Sequence, residues 1–211
     1  MGRRQQEKSQ QTQAELLGAA QSLFEEKGFF ATTIAELTDR AGYAKGSFYR
    51  HWTSKDELIL QLIEQKLAGY RAQRAERLQR AASLDDALQG IWGFLENIVD
   101  DRNWARVFLE FTIHASRDEK LKAELAKRMY RLSDAMFADI VGEFVTSDYQ
   151  PEKIGALNTA LFEGFLIHCI LGTGTLEKSD VRHAARTLAL ALGSSGRQGS
   201  EPEQPATHKG N

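Results

Sequence analysis

The sequence predicts an all-α protein, with an N-terminal three-helix unit containing a helix-turn-helix and a six-helix-type bundle behind it. Three observations carry this expectation. Ser or Thr followed three residues later by an acid recurs at Thr12/Glu15, Thr33/Glu36, Ser54/Glu57 and Ser116/Glu119, with Ser83/Asp86 a weaker relative. Such a pair satisfies two orphan N–H groups at a helix start, and apolar residues at helical spacing follow each one. The chain also holds only 3 prolines and no long run of β-branched residues, which leaves little material for strands.

Taken in order, helices are expected near 10–27, 33–41, 45–51, 55–81, 84–99, 104–116, 119–145, 151–171 and 180–192. The first carries the stripe Leu16, Ala20, Leu23 and Phe24, which Ile34, Leu37 and Ala41 of the second would face. Gly28, Gly42 and Gly172 stand just past helix ends, where a left-handed residue closes the last turn. Pro151 suits a first helical position, where its missing N–H costs nothing. Three regions follow: a head over 1–53 with a basic arm at 1–9, a bundle over 54–193, and a Gly/Ser/Pro-rich tail over 194–211, expected to be disordered.

The net charge is −2 over 211 residues, so the chain is not a wholly basic nucleic-acid protein. Charge is nevertheless uneven: residues 1–55 carry a net +2 and the remainder −4. A single cysteine, Cys169, allows no internal disulfide. The N-terminus is polar, with no secretory apolar region, and Gln6 stands where the myristoylation pattern wants Ser or Thr. No apolar stretch is expected to reach the roughly 20 residues of a membrane helix. The expected location is the cytoplasm.

The segment TIAELTDRAGYAKGSFYRH, 33–51, places a two-turn helix, a short turn closed by Gly42 and a second short helix in helix-turn-helix order. With Phe48 as the buried anchor, Lys45, Gly46, Ser47, Tyr49, Arg50 and His51 remain for solvent or DNA. Gly46 permits close backbone approach, and Ser47 is small enough to touch a base edge. Lys45 can reach a guanine edge or a phosphate, while Tyr49 and His51 can donate to phosphate oxygens. Thr33 caps a helix whose N–H groups would favour a phosphate. Lys55 opens the next helix, where a cation is electrostatically unfavourable but would face the opposite strand. Arg3 and Arg4 could reach a minor groove or be simply solvated.

On AELLGAAQSLFEEKGFFATTIAELTDRAG and YAKGSFYRHWTSKDEL, the chain closely resembles the TetR/AcrR family of bacterial transcriptional regulators over 12–62. The resemblance implies a three-helix DNA-binding head, a long fourth helix joining head to body, and a two-fold dimer on a palindromic operator. It further implies DNA contacts at Thr33, Lys45, Gly46, Ser47, Tyr49, His51 and Lys55. Three residues depart from the family pattern. Thr38 replaces the usual Ala at a tight helix contact, where its hydroxyl would have to bond back to the Ile34 carbonyl. Ala44 replaces a Ser/Thr-like helix opener, and Trp52 replaces a common Phe.

Beyond Lys55 the resemblance is looser and points to the branch with a betaine-repressor-like C-terminal domain. It does not name a ligand, and repression is only the family's default. Candidate residues for lining an effector cavity are Trp92, Phe108, Phe111, His114, Met129, Met136 and Phe165, each of which also suits plain core. Glu110 and His114 lie four apart and suit an ion pair, a ligand cation or a metal. His168 and Cys169 are about 100° apart on a helix, poor geometry for one metal. No metal or cofactor is expected, although a redox role for Cys169 stays open. The last two helices carry Ala160, Gly164, Ala184, Ala185 and Ala189, which allow close packing, and the family pairs these helices between protomers. A di-iron carboxylate enzyme would want Glu-x-x-His pairs from two helices; Glu110/His114 and Glu163/His168 have other spacings. The remaining alternative is an interaction protein with a vestigial head.

Overall fold

A computed structural model describes residues 2–78, 80–145 and 149–193, and the expected tail lies outside them. Helices α1 (Gly2–Lys27), α2 (Ile34–Arg40) and α3 (Lys45–Phe48) form the head. Helix α4 (Lys55–Leu78) leads into α5 (Leu84–Asp100), α6 (Arg102–Ala115) and α7 (Glu119–Leu125). A π-helical turn, Ala126–Tyr130, then joins α7 to α8 (Arg131–Gly142), followed by α9 (Pro151–Leu171) and α10 (Lys178–Gly193). No strand occurs among the described residues.

Two hydrophobic clusters hold the molecule. The first joins Leu16, Leu23, Phe24, Leu37 and Phe48 of the head to α4 and to Trp104, Val107 and Phe111 of α6. The second joins α5, α8, α9 and α10 through Leu88, Trp92, Phe137, Phe162 and Val181. Half-buried Phe108 packs against both. A single core therefore runs across the expected boundary after residue 53.

Local chemistry explains most of the helix ends. Thr33 and Glu36 form the expected reciprocal capping box, with Glu36 N donating to Thr33 Oγ1 at 3.3 Å and Thr33 N to Glu36 Oε2 at 2.9 Å. Ser83 accepts from Asp86 N. Other expected starts shift. α1 begins at Gly2, not near residue 10, so Thr12 lies mid-helix and its hydroxyl donates to Lys8 O at 3.0 Å. Residues 3–8, within the expected arm, are all good helix formers, and Arg3 pairs with Glu7 one turn on. At α7 the cap is Asp118, which accepts from Leu121 N at 2.8 Å, while the Ser116 hydroxyl turns back to Ile113 O. Gly28, Gly42 and Gly172 all take the left-handed conformation, with φ of 87°, 73° and 66°.

Helix α9 corrects one expectation. Over 21 residues it has the length and mean hydropathy, 1.6, of a membrane-crossing helix. Here it lies against α8 and α10. At Gly155 an added Cβ would sit 2.1 Å from Asp134 O, so the backbones of α8 and α9 nearly touch. Its other face exposes Leu157, Ile167 and Leu171.

Candidate nucleic-acid interface and body cavity

The helix-turn-helix is assembled by α1. Leu37 and Thr38 of α2 are buried, and the Thr38 hydroxyl donates to Ile34 O at 3.0 Å and Ala35 O at 2.9 Å, which is how a hydroxyl fits where the family has a methyl. Arg40 makes a two-pronged contact with the Glu26 carboxylate, and the Tyr43 hydroxyl donates to Glu15. These bonds hold both carboxyls below their ordinary range. Glu36, bonded by Lys27 and Thr33, is pulled down to about 2.

Helix α3 opens at Ala44 with no side-chain cap. Phe48 is fully buried and packs its ring 5.4 Å from that of Trp52, whose Nε1 donates to Gln61 Oε1 at 2.7 Å. Lys45, Gly46, Tyr49 and Arg50 are exposed, and Ser47 and His51 are partly so. No acid lies between residues 43 and 52, and Lys45 and Arg50 make no ion pair among the described residues. Ser47, Arg50 and His51 border an open polar groove with Gln5, Gln6, Lys8 and Ser9 of α1. Arg50 was among the residues expected to remain for solvent or DNA; the α1 residues were missed because α1 was expected to begin later.

Lys55 differs from the other expected DNA contacts. Its ammonium donates to Phe29 O at 2.6 Å and Thr32 O at 2.7 Å and lies 4.3 Å from the centroid of the Phe29 ring. Burial pushes its pKa below the ordinary lysine value. The side chain therefore binds the loop before α2, and Thr32 O immediately precedes the Thr33 cap.

Glu110 and His114 meet that same loop from α6, and not each other. Glu110 Oε2 accepts from Phe29 N at 2.8 Å, and Gly28 is packed so tightly on this carboxylate that an added Cβ would lie 2.9 Å from it. His114 Nε2 is 3.0 Å from Asp56 Oδ1, and its ring lies 5.4 Å from Phe29 and 5.6 Å from Phe30. His114 thus belongs to the head–body junction, a correction to its expected place in a ligand cavity.

The body does contain a cavity, of about 100 Å³, bordered by α4, α5, α6, the π turn, α8 and α9. Of the expected lining residues, Phe108 and Met129 border it. Phe111, Trp92 and Phe165 are buried in the two clusters and do not line it, because their stripes face neighbouring helices. The side chain of Met136 lies outside the described residues. Missed were the polar lining residues Lys66, Tyr130, Ser133, Asn158, Thr159 and Glu163. Burial pushes Glu163 upward despite its bond from Tyr130, and burial likewise raises Tyr130. The π turn delivers Met129 and Tyr130 to the cavity, a frequent use of such turns.

Among the described residues, no three His, Cys, Asp or Glu side chains converge for a metal. Cys169 is half-buried, and burial raises its thiol pKa, the reverse of what a reactive thiolate needs. His168 Nδ1 instead lies 2.9 Å from Thr173 Oγ1.

Known proteins agree with this layout. Residues 16–62 match the family described as bacterial regulatory proteins, tetR family, and residues 86–193 match the BetI-type transcriptional repressor, C-terminal. The uncharacterized HTH-type transcriptional regulator YfiR of Bacillus subtilis is 29% identical over 188 residues, covering 85% of this chain and 89% of YfiR. The HTH-type transcriptional repressor KstR2 of Mycobacterium tuberculosis is 35% identical over 78 residues, 37% of this chain and 39% of KstR2. A crystal structure of a TetR transcription regulator from Haloarcula marismortui shares the fold, with a TM-score of 0.73 at 16% identity over 87% of this chain and 98% of that one. With both its head and its body matched, the chain belongs to the TetR family of transcriptional regulators, DNA-binding proteins and not enzymes.

Proposed function

We propose that the protein is a homodimeric, sequence-specific repressor that leaves a palindromic operator when a small molecule fills the body cavity. Thr33, Lys45, Gly46, Ser47, Tyr49 and His51 make the DNA contacts, joined by Arg50. Lys55 acts from behind, by fixing the loop that ends in the Thr33 cap. The observation that carries the reading is the span of α6: Trp104 and Phe108 border the cavity, and Glu110 and His114 grip the loop ahead of α2. An occupant and an operator would therefore compete through one helix.

The exposed face of α9, with Leu157, Ala160, Gly164, Ile167 and Leu171, supports pairing with a second copy. Ala185 and Ala189, expected at that interface, are instead buried within the protomer. The protein works in the cytoplasm, where its operator is.

Selection of binding sites from random duplex DNA tests the reading. Enrichment of a palindrome with half-sites about one helical turn apart, or a multiple of that, is expected. Failure to enrich any sequence across a range of salt would refute it and favour a vestigial head. On the selected site, Tyr49→Phe should weaken binding to all sequences alike, whereas Ser47→Ala should shift base preference.

A further inference from the structure

The body cavity has a defined chemistry. Its free volume of about 100 Å³ is somewhat below the roughly 150 Å³ of an apolar cavity that admits benzene, so a single ring is the natural scale of an occupant. Ile63, Leu67, Ile91, Leu95, Phe108 and Phe162 supply apolar wall. Lys66 is the one cation among the described lining residues, and it is already held by Asp101 at 2.8 Å and Glu25 at 3.7 Å, with its ammonium 4.3 Å from the Trp104 ring centroid. No unpaired positive charge remains on the described lining to receive an anion.

The polar side of the cavity is short of one donor. Asn158 is only 4% exposed, and its Oδ1 has no hydrogen-bond partner among the described residues. Two neighbouring donors are spent elsewhere. The Thr159 hydroxyl lies 2.8 Å from Asp134 Oδ1 and 3.2 Å from Gly155 O, and the Tyr130 hydroxyl is bonded to Glu163. A buried acceptor left in this state is costly unless an occupant supplies the hydrogen.

We propose that the cavity binds a small, uncharged, ring-bearing molecule with one O–H donor, of the phenol class, whose hydroxyl donates to Asn158 Oδ1. The proposal deepens the effector reading and rests on it only for the choice of cavity. A carboxylate-bearing ring is disfavoured because it would meet no free cation among the described lining residues and would crowd Glu163. An ammonium-bearing ring is disfavoured because the largely apolar wall would strip water from its charge and Lys66 stands on the same lining.

Titration calorimetry on the full-length, DNA-free protein tests this with phenol, toluene, benzoate and benzylamine, on wild type and Asn158→Leu. Phenol should bind at least tenfold more tightly than benzoate or benzylamine. The ratio of toluene to phenol Kd should fall about tenfold in Asn158→Leu, since comparing ratios cancels each ligand's own hydration. An unchanged ratio, tighter binding of either charged ring, or no binding of any of the four would overturn the proposal. Should Asn158→Leu fail to fold, a phenol-soaked wild-type crystal decides instead. Its oxygen within hydrogen-bond reach of Asn158 Oδ1 supports the assignment, and any other seat or orientation overturns it. Phenol bound at Asn158 with no change in operator affinity would leave this inference standing and remove the cavity's effector role.

Discussion

Replacing Lys55 with methionine separates two tasks open to a cation at this junction. Methionine keeps most of the apolar stem but removes the bonds to Phe29 O and Thr32 O and the contact with the Phe29 ring. A hydrogen bond from a charged donor contributes about 1.5–3 kcal/mol, and a part-exposed cation–π contact about 0.5–1 kcal/mol. Desolvation of the ammonium, the main cause of its lowered pKa, offsets part of this, and the half-buried site lets water recover some of the lost bonding. The expected net loss is about 1–3 kcal/mol, read as a lower midpoint in urea. Operator titrations at several salt concentrations then identify the mechanism. A lysine that latches the loop leaves the slope of log K against log salt unchanged while affinity falls. Loss of a phosphate contact lowers the magnitude of that slope by about 0.9. Unchanged stability together with a shallower slope would refute the latch and restore Lys55 as a direct DNA contact.

Gly155→Ala should lower stability by about 1–3 kcal/mol or more, because its Cβ would sit 2.1 Å from a backbone oxygen that cannot move without separating α8 from α9; an unaltered Tm in calorimetry would contradict so close an approach. Glu163→Gln should stabilise the protein at neutral pH and make little difference well below the ordinary carboxylate range. The reason is that burial raises the folded-state pKa, so the wild-type carboxyl contributes stability below its unfolded value near 4.5 and loses it as pH rises through the folded value. Urea midpoints for both forms at acidic and neutral pH check the sign, and a wild-type advantage at neutral pH would reverse the argument. Leu171→Glu, at a side chain that is 72% exposed, should shift the protein to monomer in sedimentation velocity without changing its helicity; a persistent dimer would place the interface elsewhere.

Features set by residues three or four apart were legible in the sequence. The Thr33/Glu36 box, the three left-handed glycines and the back-bond of Thr38 to Ile34 all depend on local spacing. Features set by distant neighbours were not. Ser116 and Asp118 both offer a cap, and only the path of the chain out of α6 selects Asp118. Glu110 and His114 look like a pair because they share a helix face, yet Phe29 and Asp56 claim them from far along the chain. Aromatic stripes have the same spacing whether they pack against a helix or border a void, which is why Phe108 and Phe111 could not be told apart. One available signal was overlooked. Ile154, Asn158 and Phe162 recur every fourth residue on the buried face of α9, and a carboxamide in an otherwise apolar stripe marks a place where something must be bonded.

The position of the cavity constrains how an occupant could act. Its wall takes Ile63, Trp104 and Met129 from the head-side cluster and Ile91, Phe137 and Phe162 from the cluster of α5, α8 and α9, so it lies on the seam between the two cores. On the head side the parts are tied together. Lys66 of α4 reaches both Glu25 of α1 and Asp101, and Asp101 in turn accepts from Trp104 N at the start of α6. Phe111 is fully buried, with its ring 5.4 Å from that of Phe29, leaving no slack in which a shift of α6 could dissipate. Filling the seam would therefore move α1, α4 and α6 as one body against the rest. In the proposed dimer, α9 holds the other side fixed to its mate. The displacement would then appear as a change in spacing between the two recognition helices, and not as local unfolding of either head. In the proposed mechanism operator DNA fixes that spacing, and by linkage it would weaken the occupant's binding by the same factor by which the occupant would weaken DNA binding.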